Sequence, residues 1–271
     1  MTIRADQSRL AHFYDLLDGF EEGDPIELVS DDLQFEMMFP AADGIPSERF
    51  HGGKLDFERF RAEVRARGAR FEHSETQRRH NIDTLTFVDG LELIVGRALG
   101  GRRNGTLLTA ARADTDGKLR RYALVMSSEV HFSNPSVRVE PPPDLLAQYF
   151  DRVDGISLDE PLDLLSDDFR FEMVFPGIEG PPDERISRDK EDFKRFRDGI
   201  RARRPRRRVS QEDRRHHLRT STVADGLVLA VAEARQGRRN GTLIVAAESD
   251  KDGRMRRYLV AMAPAVHLSE Q

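Results

Sequence analysis

The chain has 271 residues, 34% of them charged and 38% hydrophobic, with neither cysteine nor tryptophan. The missing cysteine excludes a disulfide framework, a thiolate nucleophile and cysteine-ligated zinc or iron–sulfur sites. Lys and Arg number 43 against 48 Asp and Glu, a formal net charge of −5, which argues against a chain built chiefly to neutralise a phosphate backbone.

Leu10, Phe13, Tyr14 and Leu17 have helical spacing. Asp24-Pro25 then reads as N-cap and first position of a short second helix. Leu33, Phe35, Met37 and Phe39 alternate with Gln34, Glu36 and Met38, the pattern of a half-buried strand, and Pro40 ends it. Phe57, Phe60, Arg61 and Val64 share one face of a helix that runs to Gly68. From there the pattern is β, over 78–88, 91–99, 105–113 and 118–131. Asp89-Gly90, Asn104-Gly105 and Asp116-Gly117 stand between those runs. In such dipeptides glycine takes positive φ without steric cost, which suits a hairpin. Helices followed by an antiparallel meander make an α+β layout.

The whole pattern is then written a second time. Asp31-Asp-Leu-Gln-Phe-Glu-Met-Met-Phe-Pro40 recurs as Asp167-Asp-Phe-Arg-Phe-Glu-Met-Val-Phe-Pro176. Gly101-Arg-Arg-Asn-Gly-Thr-Leu107 recurs unchanged as Gly237 to Leu243. Each pair is offset by 136 positions, and Leu10–Ser133 aligns on Leu146–Ser269 without a gap, with about half the pairs identical. A period this long marks a duplicated domain rather than a solenoid. The expected division is 1–133, a proline-rich linker over 134–143, and 144–271. No apolar run is long enough to span a membrane, and the first residues carry no apolar signal region, so a cytoplasmic protein is expected.

The order of helix, short helix, Asp-Asp, strand with Phe-Glu, Pro, helix and meander resembles the SnoaL-like branch of the nuclear transport factor 2-like superfamily. Ketosteroid isomerases, scytalone dehydratases, limonene epoxide hydrolases and polyketide cyclases belong there. The resemblance implies a curved antiparallel sheet wrapped around helices, enclosing a conical apolar pocket. It also implies units paired through the convex faces of their sheets, so that a tandem chain is a covalent pseudo-dimer with intramolecular domain–domain pairing. The implied partner is a small, mostly apolar metabolite, without a cofactor. Phe13, Phe35, Met37, Tyr122 and Met126 are the expected pocket lining of the first copy, and Phe171, Met173, Tyr258 and Met262 of the second.

The resemblance carries over residue by residue. The isomerase base falls on Met37 and Met173, which cannot accept a proton, and its oxyanion Asp falls on Thr109 and Val245. Its oxyanion Tyr falls on Phe13 and on Tyr149. Steroid isomerase chemistry is therefore rejected. The dehydratase-like Asp and His fall on Asp18 with His80 and on Asp154 with His216. A His titrates near neutrality and a carboxylate can orient it, so these pairs are candidates for acid/base work, joined in the second copy by Tyr149. The bland alternative is a carboxylate that ends a helix and a histidine bonded to backbone at a strand start. The second dehydratase His falls on Val95 and Val231. Arg97, with Glu233 as its counterpart, is what remains of an epoxide-hydrolase arrangement.

Three functions follow. The first is binding of an apolar metabolite, with cofactor-free dehydratase, isomerase or cyclase chemistry. The second is a non-catalytic binding or assembly module. The third is a polyether-type epoxide hydrolase. Glu36 and Glu172 alternate outward and are expected to pair with Arg121 or Arg257. Arg201–Arg208 is the strongest basic run, but no aromatics interleave it, so nucleic acid is not the expected partner. No metal-ligand spacing is present among the eight histidines.

Overall fold

The computed structural model describes residues 8–42, 45–68, 79–99, 104–176, 184–203, 210, 212–236 and 239–268. The chain divides into two compact units, one of Met1–Ser128 with Ala265–Gln271 and one of Glu129–Pro264. The segment expected as a proline-rich linker, 134–143, groups with the second unit. There Arg138 donates from Nε to the Ser133 carbonyl at 2.7 Å and from a terminal nitrogen to the Asp225 carbonyl at 3.2 Å.

In the first unit, helix α1 (Arg9–Asp18) and a 3-10 turn (Pro25–Leu28) lead into strand β1 (Val29–Phe39). A short strand β2 (Glu48–Gly52) and helix α2 (Lys54–Gly68) follow. The meander is β3 (His80–Val88), β4 (Leu91–Ala98), β5 (Gly105–Ala113) and β6 (Leu119–Ser127). The sheet order is β2-β1-β6-β5-β4-β3. In the second unit, helix α3 (Leu145–Asp154), a turn (Pro161–Leu164), β7 (Leu165–Phe175), β8 (Glu184–Asp189) and helix α4 (Lys190–Arg203) come first. Then come β9 (His216–Ala224), β10 (Leu227–Gln236), β11 (Arg239–Ser249) and β12 (Met255–Ala263), in the order β8-β7-β12-β11-β10-β9.

Two features correct the sequence reading. Each sheet is mixed, because β1 joins β6, and β7 joins β12, in parallel. The meander folds back so that its last strand arrives beside the first in the same direction, closing a pairing that local alternation does not reveal. The second correction is the extra strand, β2 or β8. Glu48-Arg49-Phe50-His51-Gly52 is too short and polar to read as a strand alone. It pairs on one side only, with β1, and a short, charged strand is what a sheet edge tolerates. β6 also ends at Ser127, before the expected 131, and Glu129 onward belongs to the second unit.

The Asp89-Gly90 and Asp116-Gly117 turns are present, whereas Gly105 of the expected Asn104-Gly105 turn instead opens β5, paired with Ala98 and without positive φ. Asp89 and Gly90 both take positive φ, at 50° and 75°, as do Asp225 and Gly226 at 46° and 72°, the geometry of a two-residue hairpin loop. Gly19 and Gly155 end α1 and α3 in the left-handed region, at 77° and 83°. The helices lie on the face of the sheet carried by Phe35, Met37, Leu124 and Met126, and that face forms the first unit's core. Phe171, Val260 and Met262 do the same for the second.

The units differ in how the first helix begins. Ser8 caps α1, its hydroxyl accepting from the Ala11 N–H. The buried Glu92 of β4 accepts from the Ser8 hydroxyl at 2.7 Å and from the N–H groups of Arg9 and Leu10 at 3.1 and 3.0 Å. A carboxylate there satisfies open N–H groups and complements the positive helix end. The counterpart of Glu92 is Val228, and α3 has no side-chain cap bond. Glu92→Val should therefore cost the first unit about 1–3 kcal/mol; urea unfolding measures it, and an unchanged midpoint would deny the cap any weight.

Candidate functional site

The end of α1 is tied to the start of β3. Asp18 is the last residue of the helix, and its Oδ1 lies 2.7 Å from His80 Nδ1. Its Oδ2 accepts from the backbone N–H groups of Arg79 and His80 at 3.0 and 2.9 Å. The second unit repeats this contact for contact. Asp154 Oδ1 lies 2.6 Å from His216 Nδ1, and Oδ2 accepts from Arg215 and His216 N–H at 3.0 and 2.9 Å. Burial pushes both carboxyls up, but the His hydrogen bond, the His charge and the backbone donors outweigh it, so both sit below the usual carboxylate range. Each imidazole lies flat on an aromatic ring of the helix: His80 on Tyr14 at 4.9 Å and His216 on Phe150 at 5.2 Å. The sequence-expected pairs are thus adjacent in both units. Each carboxylate also accepts from two backbone N–H groups of the adjoining strand.

The tyrosines divide the units. In the first, the Tyr14 hydroxyl lies 2.8 Å from Thr109 Oγ1 and 3.2 Å from the Tyr122 hydroxyl, so three buried hydroxyls satisfy one another. Burial pushes Tyr14 up to about 12, although its bonds to Thr109 and Tyr122 pull the other way. In the second unit the aromatic pair on the helix is transposed: Phe13-Tyr14 becomes Tyr149-Phe150, and Thr109 becomes Val245. Tyr149 and Tyr258 are 4% and 3% exposed, with ring centroids 5.2 Å apart. Among the described residues neither hydroxyl has a hydrogen-bond partner. Burial raises both, and for Tyr149 the charge of Arg197 opposes the rise.

The sheet beneath these rings also differs. Ile94, Thr109 and Leu124 form one row across β4, β5 and β6. The equivalent row across β10, β11 and β12 is Ala230, Val245 and Val260. Ile gives way to Ala and Leu to Val, so the second row is the smaller. In the first unit the gap between helices and sheet, lined by Phe13, Val29, Leu33, Phe57, Leu119 and Tyr122, is too small for a water molecule. Phe13 and Tyr122 of the expected pocket lining border this gap. An open cavity of about 210 Å³ lies instead beside β2 and α2, against Phe50, Phe60, His51 and Arg59. It went unread in the sequence because β2 did.

The other expected residues fall as follows. Phe13, Phe35, Met37, Tyr122 and Met126 belong to the first core, Phe171, Tyr258 and Met262 to the second, and Met173 packs against the latter. Glu36 is fully buried and pairs with Arg49 of β2 at 2.7 Å; Glu172 pairs with Arg185 of β8 at 2.8 Å. Arg97 has the parity opposite to the core residues Ile94 and Ala98, and it forks onto Asp83 with two bonds of 3.0 Å. In the second unit the same two positions are Arg219 and Glu233, bonded at 2.6 Å with the charges exchanged. Asp83 and Arg219 each sit at a β-bulge, which re-aims a side chain. The pair joins neighbouring strands in both units, with its signs reversed between copies. The basic run lies largely outside the described residues. Among the described residues no cluster of three potential metal ligands occurs, and no helix is long and apolar enough to cross a membrane.

No family pattern and no curated protein matches this chain. Solved structures similar to part of it include a 96–104 loop truncation variant of IdmH, 20% identical, covering 46% of this chain and 90% of that one, with a TM-score of 0.29. A SnoaL-like protein of unknown function from Burkholderia thailandensis is 18% identical over 46% of this chain and 99% of its own, with a TM-score of 0.30. A de novo designed NTF2-fold protein is 18% identical over 49% and 89%, with a TM-score of 0.28. These likenesses concern the fold alone, and each spans about one of the two units.

Proposed function

We propose that the second of these two SnoaL-like units binds a small, mostly apolar molecule carrying one hydrogen-bond-accepting oxygen, held by Tyr149 and Tyr258 under helix α3. The observation that carries this reading is two adjacent, nearly buried tyrosines whose hydroxyls bond to none of the described residues. An acceptor oxygen between the rings gives both hydroxyls a partner. The smaller row Ala230–Val245–Val260 supports the same placement. The Asp–His pairs are assigned to holding the first helix of each unit against its sheet. No proton-transfer step is assigned to them: each carboxylate ties the imidazole and two backbone N–H groups of the adjoining strand to the helix end.

The test is titration with a panel of one- and two-ring aryl ketones and phenols, read by calorimetry. Saturable binding at one site is expected, weakened roughly 10- to 100-fold by Tyr149→Phe with Tyr258→Phe, which removes two hydrogen bonds. Tyr14→Phe should leave it intact. Absence of saturable binding across the panel, or equal loss in both variants, would refute the proposal.

A further inference from the structure

We infer that the first unit is closed to such a ligand by its own side chains, and that the position of one tyrosine on the first helix decides which unit binds. This rests on the reading just given and adds what excludes the ligand from the other copy. Three observations within the first unit carry it. The Tyr122 hydroxyl, counterpart of Tyr258, is already bonded to Tyr14. The Tyr14 hydroxyl has a second partner in Thr109. Ile94 stands beside Thr109 in the row where the second unit has Ala230. The hydroxyl a ligand would meet is spent internally, and a branched side chain stands where the second unit has alanine. Moving the tyrosine one helix position rotates its ring by about 100° around the helix axis. That takes the hydroxyl off Thr109 and the strand tyrosine's hydroxyl, both of which Tyr14 reaches, and leaves only the rings of Tyr149 and Tyr258 in contact.

The idea differs from a duplicated site with two working copies. It predicts one ligand per chain, and it names Phe13, Tyr14, Ile94 and Thr109 as the positions that set the number. None of them needs a change in the backbone: Phe/Tyr and Thr/Val exchanges keep nearly the same shape.

The experiment uses the full chain and acetophenone labelled with carbon-13 at the carbonyl, counted by calorimetry and by its bound NMR resonance. Wild type should bind one equivalent. The variant F13Y/Y14F/I94A/T109V, which gives the first unit the residues of the second, should bind two and show a second bound resonance. The reverse variant Y149F/F150Y/A230I/V245T should bind none while keeping a cooperative thermal transition. The near-isosteric Y149F/F150Y/V245T, which should also bind none, decides the matter where either larger variant fails to fold. Two equivalents in wild type, or one equivalent in a folded first variant, would overturn the inference alone. Continued binding by the reverse variant would also overturn it. No binding by wild type overturns it together with the proposed function.

Discussion

Asp154→Ala is expected to lower the stability of the second unit by about 3–5 kcal/mol, as removal of one partner from a buried pair generally does. The side chain is fully buried, and its loss strands two backbone N–H groups and an imidazole. Asp154→Asn should cost less, because an amide oxygen still accepts from both N–H groups. The pH dependence has a definite sign. The folded-state pKa is depressed below 3.8, so the contribution is complete above the ordinary carboxylate range and fades as pH falls through the folded value. Urea midpoints of wild type and Asp154→Ala should converge as pH falls through the depressed folded-state value and stay apart at neutrality. Asp18→Ala should repeat the pattern in the first unit. The same measurements separate holding from catalysis: a holding carboxylate changes unfolding midpoints while ligand affinity of the folded fraction survives. A midpoint that does not move on removing Asp154 would reject the holding role.

Truncation after Pro264 is the second large effect. The segment that begins at Ala265 belongs to the first unit, although it follows the last strand of the second in sequence. The Ala265 N–H donates to the buried Glu36 carboxylate at 2.8 Å. Val266 and Leu268 are completely buried, and the Leu268 carbonyl accepts from Arg112 Nε at 3.1 Å. Each fully buried aliphatic side chain contributes about 1.5–3 kcal/mol, so the truncated chain should lose several kcal/mol in its first unit. Glu36 would retain Arg49 but lose a donor in a site without water access. Hydrogen exchange resolved by segment measures this: protection should fall across β1 and β5 and persist in β10 and β11. Uniform loss across both units, or no loss, would contradict the assignment of the tail.

Much of this architecture is legible in the chain because each unit tests the other. Alternation over Leu33–Phe39 and the Asp-Gly turns are local signals, and both copies carry them. The Asp18–His80 pair was reached only through the family resemblance, since its members lie 62 positions apart. The parallel pairing of β1 with β6 has no local signal at all, because alternation tells which face a residue occupies and not which strand lies beside it. β2 escaped for the opposite reason: an edge strand needs few apolar residues, so its sequence looks like a loop. Glu36 was placed correctly on the face away from the core. Its partner Arg49 sits on that unread strand, so the pair could not be found.

The tyrosines mark the boundary most clearly. By itself the sequence determined that there are two copies, where their helices and most of their strands run, and that Phe13 and Tyr149 are equivalent positions. It ranked Tyr149 as a gained hydroxyl and took Tyr122 and Tyr258 as equals. Only the tertiary structure decided that Tyr122 bonds to Tyr14, while Tyr258 bonds to none of the described residues. A hydrogen bond is set by distance and direction across packed elements, here between Tyr14 on α1 and Thr109 on β5, 95 positions away. One exchange on a helix and one on a strand act only when the fold brings them within 3 Å, and no periodicity in the chain encodes that meeting.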